Sequence, residues 1–315
     1  MAFKKINKKR QKLIILFLIC LFILPAAALN AENHKVIFNH LDGIGDDYGP
    51  GNYYYPQNQI FQNKGNLFDL KTMTIFESES EYKFRFSFSE LTDPWGAKFG
   101  FSLPLLEIYI DNQPAGSNQL FHSGANVSFK EDFSWNKFIK ISGWWVKLYT
   151  PDSQQENILD MDELSLNDPN SNGNVNLIKE VNDLYLELPK TEVDSLKNSK
   201  IIVLVGSFDP FGYDHFRSLS KTKSYWQLYA ENDIPNSTSP RVLDILVPGG
   251  SSQKEILSGE LPELPYLEVA PDPAAKEPTL VDYLRPVNEI SILILLTYII
   301  FLILVIYKFK YNDKA

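Results

Sequence analysis

The ten residues Glu81–Glu90, EYKFRFSFSE, constrain this chain most. Tyr82, Phe84, Phe86 and Phe88 alternate without a slip with Lys83, Arg85, Ser87 and Ser89. Successive side chains point to opposite faces only in a β-strand, so the segment predicts a strand with one dry and one wet face. Leu184, Leu186 and Leu188 alternate with Tyr185 and Glu187 in the same way. Ile201–Val205 is a continuous, largely β-branched run and predicts a strand buried on both faces. Further strands are expected at Val36–Phe38, Phe68–Phe76, Leu105–Ile110, Val127–Phe129, Phe138–Leu148 and Val242–Val247, separated by Gly, Pro, Asn and Asp clusters. Thr191–Asn198 reads as a short turn or helix, and no long amphipathic helix occurs. About nine strands predict an all-β chain, an antiparallel β-sandwich. Cys20 is the single cysteine, so no disulfide framework and no cysteine-based zinc site is available.

Both ends carry membrane signals. Lys4, Lys5, Lys8, Lys9, Arg10 and Lys12 precede the apolar run Leu13–Leu24, then Pro25 and Ala26–Ala28. That is the layout of a secretory signal peptide over residues 1–28. At the other end, Ile290–Tyr307 is 18 residues without a charge, about 27 Å of helix and enough to cross a thin bilayer. Lys308, Lys310 and Lys314 follow, which places the tail 308–315 in the cytoplasm and the preceding chain outside. The expectation is a single-pass cell-membrane protein with one C-terminal transmembrane helix and an extracellular main domain at 32–258. Between them, 259–289 holds Pro262, Pro265, Pro271, Pro273, Pro278 and Pro286, and reads as an extended stalk. Without the leader's six basic residues and Lys308, Lys310, Asp313 and Lys314, the exported part has 21 basic against 38 acidic residues, a net charge of −17. Such a surface repels nucleic acid.

The segments DGIGDDYGPGNYYYP (42–56), FDL (68–70), LTDPWGAKFGFSLPLLEIYID (91–111) and SPRVLDILVPGGSSQKEILS (239–258) stand in this order along the chain. Together they resemble the C-terminal binding module of glucodextranase, a family also found with pullulanase-type enzymes and in membrane-anchored surface proteins. The resemblance implies a DOMON-like, jelly-roll-type β-sandwich, like a carbohydrate-binding module. It implies no catalysis, since the hydrolase activity belongs to a separate domain. The expected ligand is a polysaccharide or oligosaccharide of α-glucan type, presented to a separate glycoside hydrolase or sugar transporter. The alternative is attachment to a cell wall, a surface layer or a partner protein, with no sugar affinity. Within SFDPFGYDHFRSLSKTKSYWQLYAEND (207–233) the family's Gly212, Arg217 and Trp226 are present, whereas a glycine-rich run after the tryptophan is missing.

A pyranose packs its flat C–H face on an aromatic ring while neighbouring polar groups bond its hydroxyls. The candidate ligand-binding residues are therefore Trp95, Trp226, Trp145, Tyr54 and Arg217. For a hard cation such as Ca2+, two loops offer oxygen donors. Asp42, Asp46 and Asp47 stand among glycines that let a loop bend tightly, and Asp168-x-Asn170-x-Asn172-Gly173 has the spacing of the start of an EF-hand loop. Lys179 stands where that loop needs its bidentate glutamate, and Asp/Asn/Gly turns also arise from backbone capping alone. No HExxH, P-loop or GxSxG is present, and His34, His40, His122 and His215 are scattered, so no catalytic residue is assigned.

Overall fold

The computed structural model describes residues 34–62, 64–152, 175–230 and 236–270. All of them belong to the first of the two units into which the chain divides, Met1–Pro271 and Asp272–Ala315. The leader, the run Ile290–Tyr307, and Asp168, Asn170 and Asn172 lie outside the described residues. No helix among the described residues is long and apolar enough to cross a membrane.

In chain order the strands are β1 (Lys35–Leu41), β2 (Tyr53–Tyr54), β3 (Leu70–Glu77), β4 (Glu81–Phe88), β5 (Pro104–Asp111), β6 (Ser128–Phe129), β7 (Lys137–Ile141) and β8 (Val146–Tyr149). There follow β9 (Asn176–Glu180), β10 (Asp183–Pro189), β11 (Lys200–Ser207), β12 (Leu219–Ser220), β13 (Leu228–Ala230), β14 (Val242–Ile245), β15 (Glu263–Leu264) and β16 (Leu267–Glu268). One antiparallel sheet has the order β1-β3-β4-β10-β9, and the other has the order β14-β11-β5-β7-β8 with β16 added beside β11. Among the described residues helix is confined to single turns such as Lys190–Val193, which overlaps the segment expected to turn, Thr191–Asn198.

The alternation in β4 is realised residue by residue. Tyr82, Phe84, Phe86 and Phe88 are buried, and opposite them in register Leu184, Leu186 and Leu188 of β10 are buried too. These side chains share one core with Leu106, Ile108 and Ile110 of β5, Ile139 and Ile141 of β7, and Ile201, Val203 and Val205 of β11. The two sheets therefore face each other as a sandwich. On the wet face Lys83 pairs with Glu187 at 2.8 Å and Arg85 with Asp183 at 2.6 Å. The six-stranded sheet has no wet face over β5 and β11. Leu105, Tyr109, Ile202 and Leu204 point outward into a second core with Phe138 of β7 and with Phe121, Phe133, Trp135 and Phe216, supplied by the long loops.

Two boundaries differ from the sequence reading. Phe138–Leu148 is not one strand; it folds back at Ser142–Trp145 into the β7–β8 hairpin. A Cβ on Gly143 would fall 1.6 Å from the Phe101 carbonyl oxygen, so glycine lets this turn press flat on the 99–101 backbone. Residues 259–270, expected at the head of the stalk, are paired into the fold, β15 beside β6 and β16 beside β11. Prolines remove only their own N–H groups. The remaining groups bond outward, with Ser128 N–H donating to Pro262 O at 2.9 Å and Val269 N–H to Ser199 O at 2.9 Å.

A buried ionic group sits within the second core. Lys140 Nζ lies 2.8 Å from Glu107 Oε1 and 2.6 Å from Asp214 Oδ1, and Tyr109 donates its hydroxyl to Glu107 Oε2 at 3.0 Å. Burial lowers the affinity of Lys140 for its proton, but the two carboxylates outweigh it and hold the pKa above the ordinary lysine value. Lys140→Ala leaves two buried carboxylates facing each other and is expected to cost about 3–5 kcal/mol. Lys83→Ala removes a solvated pair and is expected to cost less than about 1 kcal/mol. Urea denaturation of the two variants checks the contrast.

Candidate functional site

Three tryptophans from three separate loops meet in one cluster. The Trp95 ring centroid lies 6.1 Å from that of Trp144 and 5.7 Å from that of Trp226, and Trp144 rests 4.7 Å from Phe208. All three indoles are half-buried. Each loop is locally determined. Asp93 Oδ1 accepts the Ala97 N–H at 2.9 Å and Gly96 adopts φ +66°, which closes the Asp-Pro-Trp-Gly turn around Trp95. The Ser142 hydroxyl accepts the N–H groups of both Trp144 and Trp145 at 3.2 Å. Ser224 Oγ accepts those of Trp226 and Gln227, and the Trp226 indole N–H donates to Asp209 Oδ2 at 2.9 Å. On the same 208–227 stretch Phe211 is 87% exposed and Tyr225 66% exposed. The cluster offers rigid aromatic area with the Trp226 indole N–H already bonded, which suits packing against a flat apolar face.

A second constellation forms where β1, β3 and β14 come together. Carboxylate oxygens of Asp46, Asp69 and Asp244 lie within 4.8 Å of one another, and they are the group among the described residues that could hold a metal. Asp244 is fully buried on β14 and Asp69 immediately precedes β3. Burial, with the charges of Asp42, Asp46 and Asp69 adding, holds the Asp244 carboxyl well above the usual carboxylate range. Asp42 stands beside them, raised to about 7 by burial, with the Asp46 and Asp69 charges adding and the Gly43 and Val247 backbone opposing. Asp47 is placed differently. It accepts the Tyr55 hydroxyl and the Phe68 N–H (2.8 Å for the latter), and burial lifts it to about 6.

The model of the C-terminal, SLH-like binding module of glucodextranase matches residues 37–264. The chain belongs to this family. A comparison with curated proteins found no match. The matched range begins within β1 and ends within β15, so it takes in both constellations. The family is a binding module, not a catalytic one.

Within the module the expected ligand residues separate. Trp95 and Trp226 lie in the aromatic cluster. Trp145 is 4% exposed and packs inward on Phe208 and His215, and its neighbour Trp144 takes the cluster position. The turn at Gly143 sets which of the two faces outward, and alternation along a strand does not apply there. Arg217 is 0% exposed and is scaffold. Its guanidinium carbon lies 4.1 Å from the Trp226 ring centroid, while Nε donates to Ser207 Oγ and Nη1 to Trp226 O, each at 2.9 Å. Burial pulls its pKa down to about 10, with Asp209 opposing, so it keeps its charge at neutral pH. Tyr54, 42% exposed, stacks on Tyr229 in the β2–β13 pairing, and none of its ring contacts is to the tryptophans. Sequence reasoning missed Asp69 and Asp244, although both fall in the FDL and VLDI segments that carried the resemblance.

The loop that supplies Asp209 also carries strain. Asp214 and His215 adopt φ +50° and +62° in succession, and His122 Nδ1 lies 2.7 Å from Asp214 Oδ1. His215 is lowered to about 4 by burial, then by the Lys140 and Lys147 charges, with Asp214 opposing. Its folded pKa lies below the unfolded value of 6.5, so the stability it contributes is present above pH 6.5 and is lost as pH falls towards 4. The loss attributable to this group reaches up to about 3 kcal/mol. His215→Asn, which tolerates positive φ, is expected to lose correspondingly less stability than wild type between pH 7 and 4.5 in urea denaturation.

Proposed function

We propose that this module binds polysaccharide or oligosaccharide of α-glucan type through the Trp95–Trp144–Trp226 cluster. On this reading it is exported, single-pass and membrane-tethered through 290–307, holding glucan outside the cell for a separate hydrolase or transporter. The observation that supports the reading is the pairing of half-exposed tryptophans with a fully bonded support. Arg217, Asp209 and Ser207 spend their hydrogen bonds on the support itself and on Trp226, which leaves the exposed parts of the half-buried indoles as the surface for a ligand. Apolar surface of this kind on an acidic exported domain favours the C–H face of a sugar ring over a charged partner. The SLH-like character of the family supports a second reading, attachment to the cell wall or surface layer.

Titration calorimetry of the full-length protein in detergent against malto- and isomalto-oligosaccharides tests the first. Binding is expected, weakened about tenfold or more by Trp95→Ala or Trp144→Ala, or by about 1.4 kcal/mol or more. Tyr54→Ala is expected to leave affinity within about twofold, since its ring lies off the cluster. Silence on every soluble glucan, together with retention on purified cell walls, would select the attachment reading.

A further inference from the structure

The acidic corner gathers more carboxyl groups than the fold supplies with cationic partners. Among the described residues no lysine or arginine forms an ion pair with Asp42, Asp46, Asp69 or Asp244. Asp244 gives an independent pointer. It is fully buried on a β-strand, its Oδ2 accepts the Leu70 N–H at 2.6 Å, and its Oδ1 has no hydrogen-bond partner. Asp46 Oδ1 also lacks a partner. A buried carboxylate oxygen is ordinarily bonded, because leaving it bare forfeits its hydration without return. Here the bare oxygen belongs to a carboxylate that faces two others.

The loop is shaped to bring Asp46 into this position. Gly45 adopts φ +79° and donates its N–H to Asp69 Oδ1 at 3.0 Å. A Cβ on Gly43 would fall 2.4 Å from Asp46 Oδ2, so any larger residue there displaces that carboxylate.

We propose that Asp46, Asp69 and Asp244, with Asp42 at the rim, form a binding site for one hard divalent cation of the calcium class. The donors are all carboxylate oxygens, which excludes a soft-metal preference. Oxygens within 4.8 Å of one another can reach one cation, and carboxylates from three separate segments suit the flexible oxygen coordination of calcium, whereas magnesium demands near-ideal octahedral geometry and keeps several waters. The ligands come from the loop after β1, the entry to β3 and the strand β14, so the cation joins an edge strand of one sheet to an edge strand of the other. The stretch between Asp46 and Asp69 also carries Phe61, 5.2 Å from Arg217, and Gln57, whose N–H donates to Ser224 O at 2.8 Å. The cation would thus anchor both ends of the segment that backs Arg217 and the Trp226 loop. This site stands independently of which glycan, if any, the module binds.

The test is calorimetric titration of the full-length, EDTA-treated protein in detergent with CaCl2, with MgCl2 in a parallel run, and thermal denaturation in either salt or in EDTA. The expected result is one calcium site, at least about tenfold weaker for magnesium, and a midpoint that rises with the logarithm of calcium concentration. Asp244→Asn keeps the side-chain shape and removes one charge. It should abolish the calcium response while leaving the protein in EDTA folded with an unchanged or higher midpoint. Asp46→Asn, at a half-buried loop position that does not threaten the core, should weaken calcium binding at least about tenfold. Identical midpoints in calcium and EDTA with no heat of binding would overturn the proposal. So would a calcium site that survives both substitutions and is lost in Asp168→Asn, because the cation would then belong to the other loop.

Discussion

Everything in this structure hangs on the antiparallel pairing of β11 with β5, eight residues in unbroken register from Lys200 opposite Asp111 to Ser207 opposite Pro104. These two strands sit inside the six-stranded sheet and are buried on both faces. One face meets the aromatic stripe of β4 in the sandwich core, and the other lies beneath a second core built from loops. A sheet covered on both sides cannot leave a carboxylate or ammonium on either face without a partner. Glu107, between Leu106 and Ile108 in β5, therefore requires Lys140, and the pair in turn requires Asp214 and the hydroxyl of Tyr109. Asp214 belongs to the loop after β11, so this requirement sets where that loop must lie.

The aromatic cluster is a consequence of the same placement. Once the 208–216 loop is fixed over the sheet, Ser207, Phe208 and Asp209 present the oxygens that hold Arg217 and the Trp226 indole. A buried guanidinium on three oxygen acceptors is a stiff support, and the ring stacked on it cannot fold back into the core. The protein thus seals charge inside and leaves large aromatic rings half-exposed, both departures from the usual distribution. Both inversions occur in the same loops. The acidic corner is a third departure, with carboxylates gathered at the joint between edge strands of the two sheets. Local consistency holds elsewhere in the strands, and the rules break where binding is the best physical reason for breaking them.

Much of the scaffold was legible in advance because its cause is local. The stripe Tyr82–Phe84–Phe86–Phe88 has one geometry that buries all four rings, and Ile201–Val205 has one that buries every side chain. The stretch 138–148 was not legible as two strands. Its apolar content continues through the turn, and the reason for the break, the Phe101 carbonyl against Gly143, comes from forty residues away in the chain. The choice between Trp144 and Trp145 follows from that turn. β9 escaped notice because, of its five residues, only Leu177 faces the core, and one buried residue makes no pattern.

The sequence by itself determined the fold class, the strand faces, the acidic character of the domain and the family to which it belongs. These depend on side-chain type and on spacing over a few residues, which one chain displays completely. The tertiary structure decided which tryptophan faces outward, that Arg217 is sealed behind the rings, and that Asp46 meets Asp69 and Asp244. Those outcomes depend on which distant strands become neighbours. Asp46 and Asp244 are nearly two hundred residues apart, and only the closing of β1, β3 and β14 around one corner brings their oxygens within reach of each other.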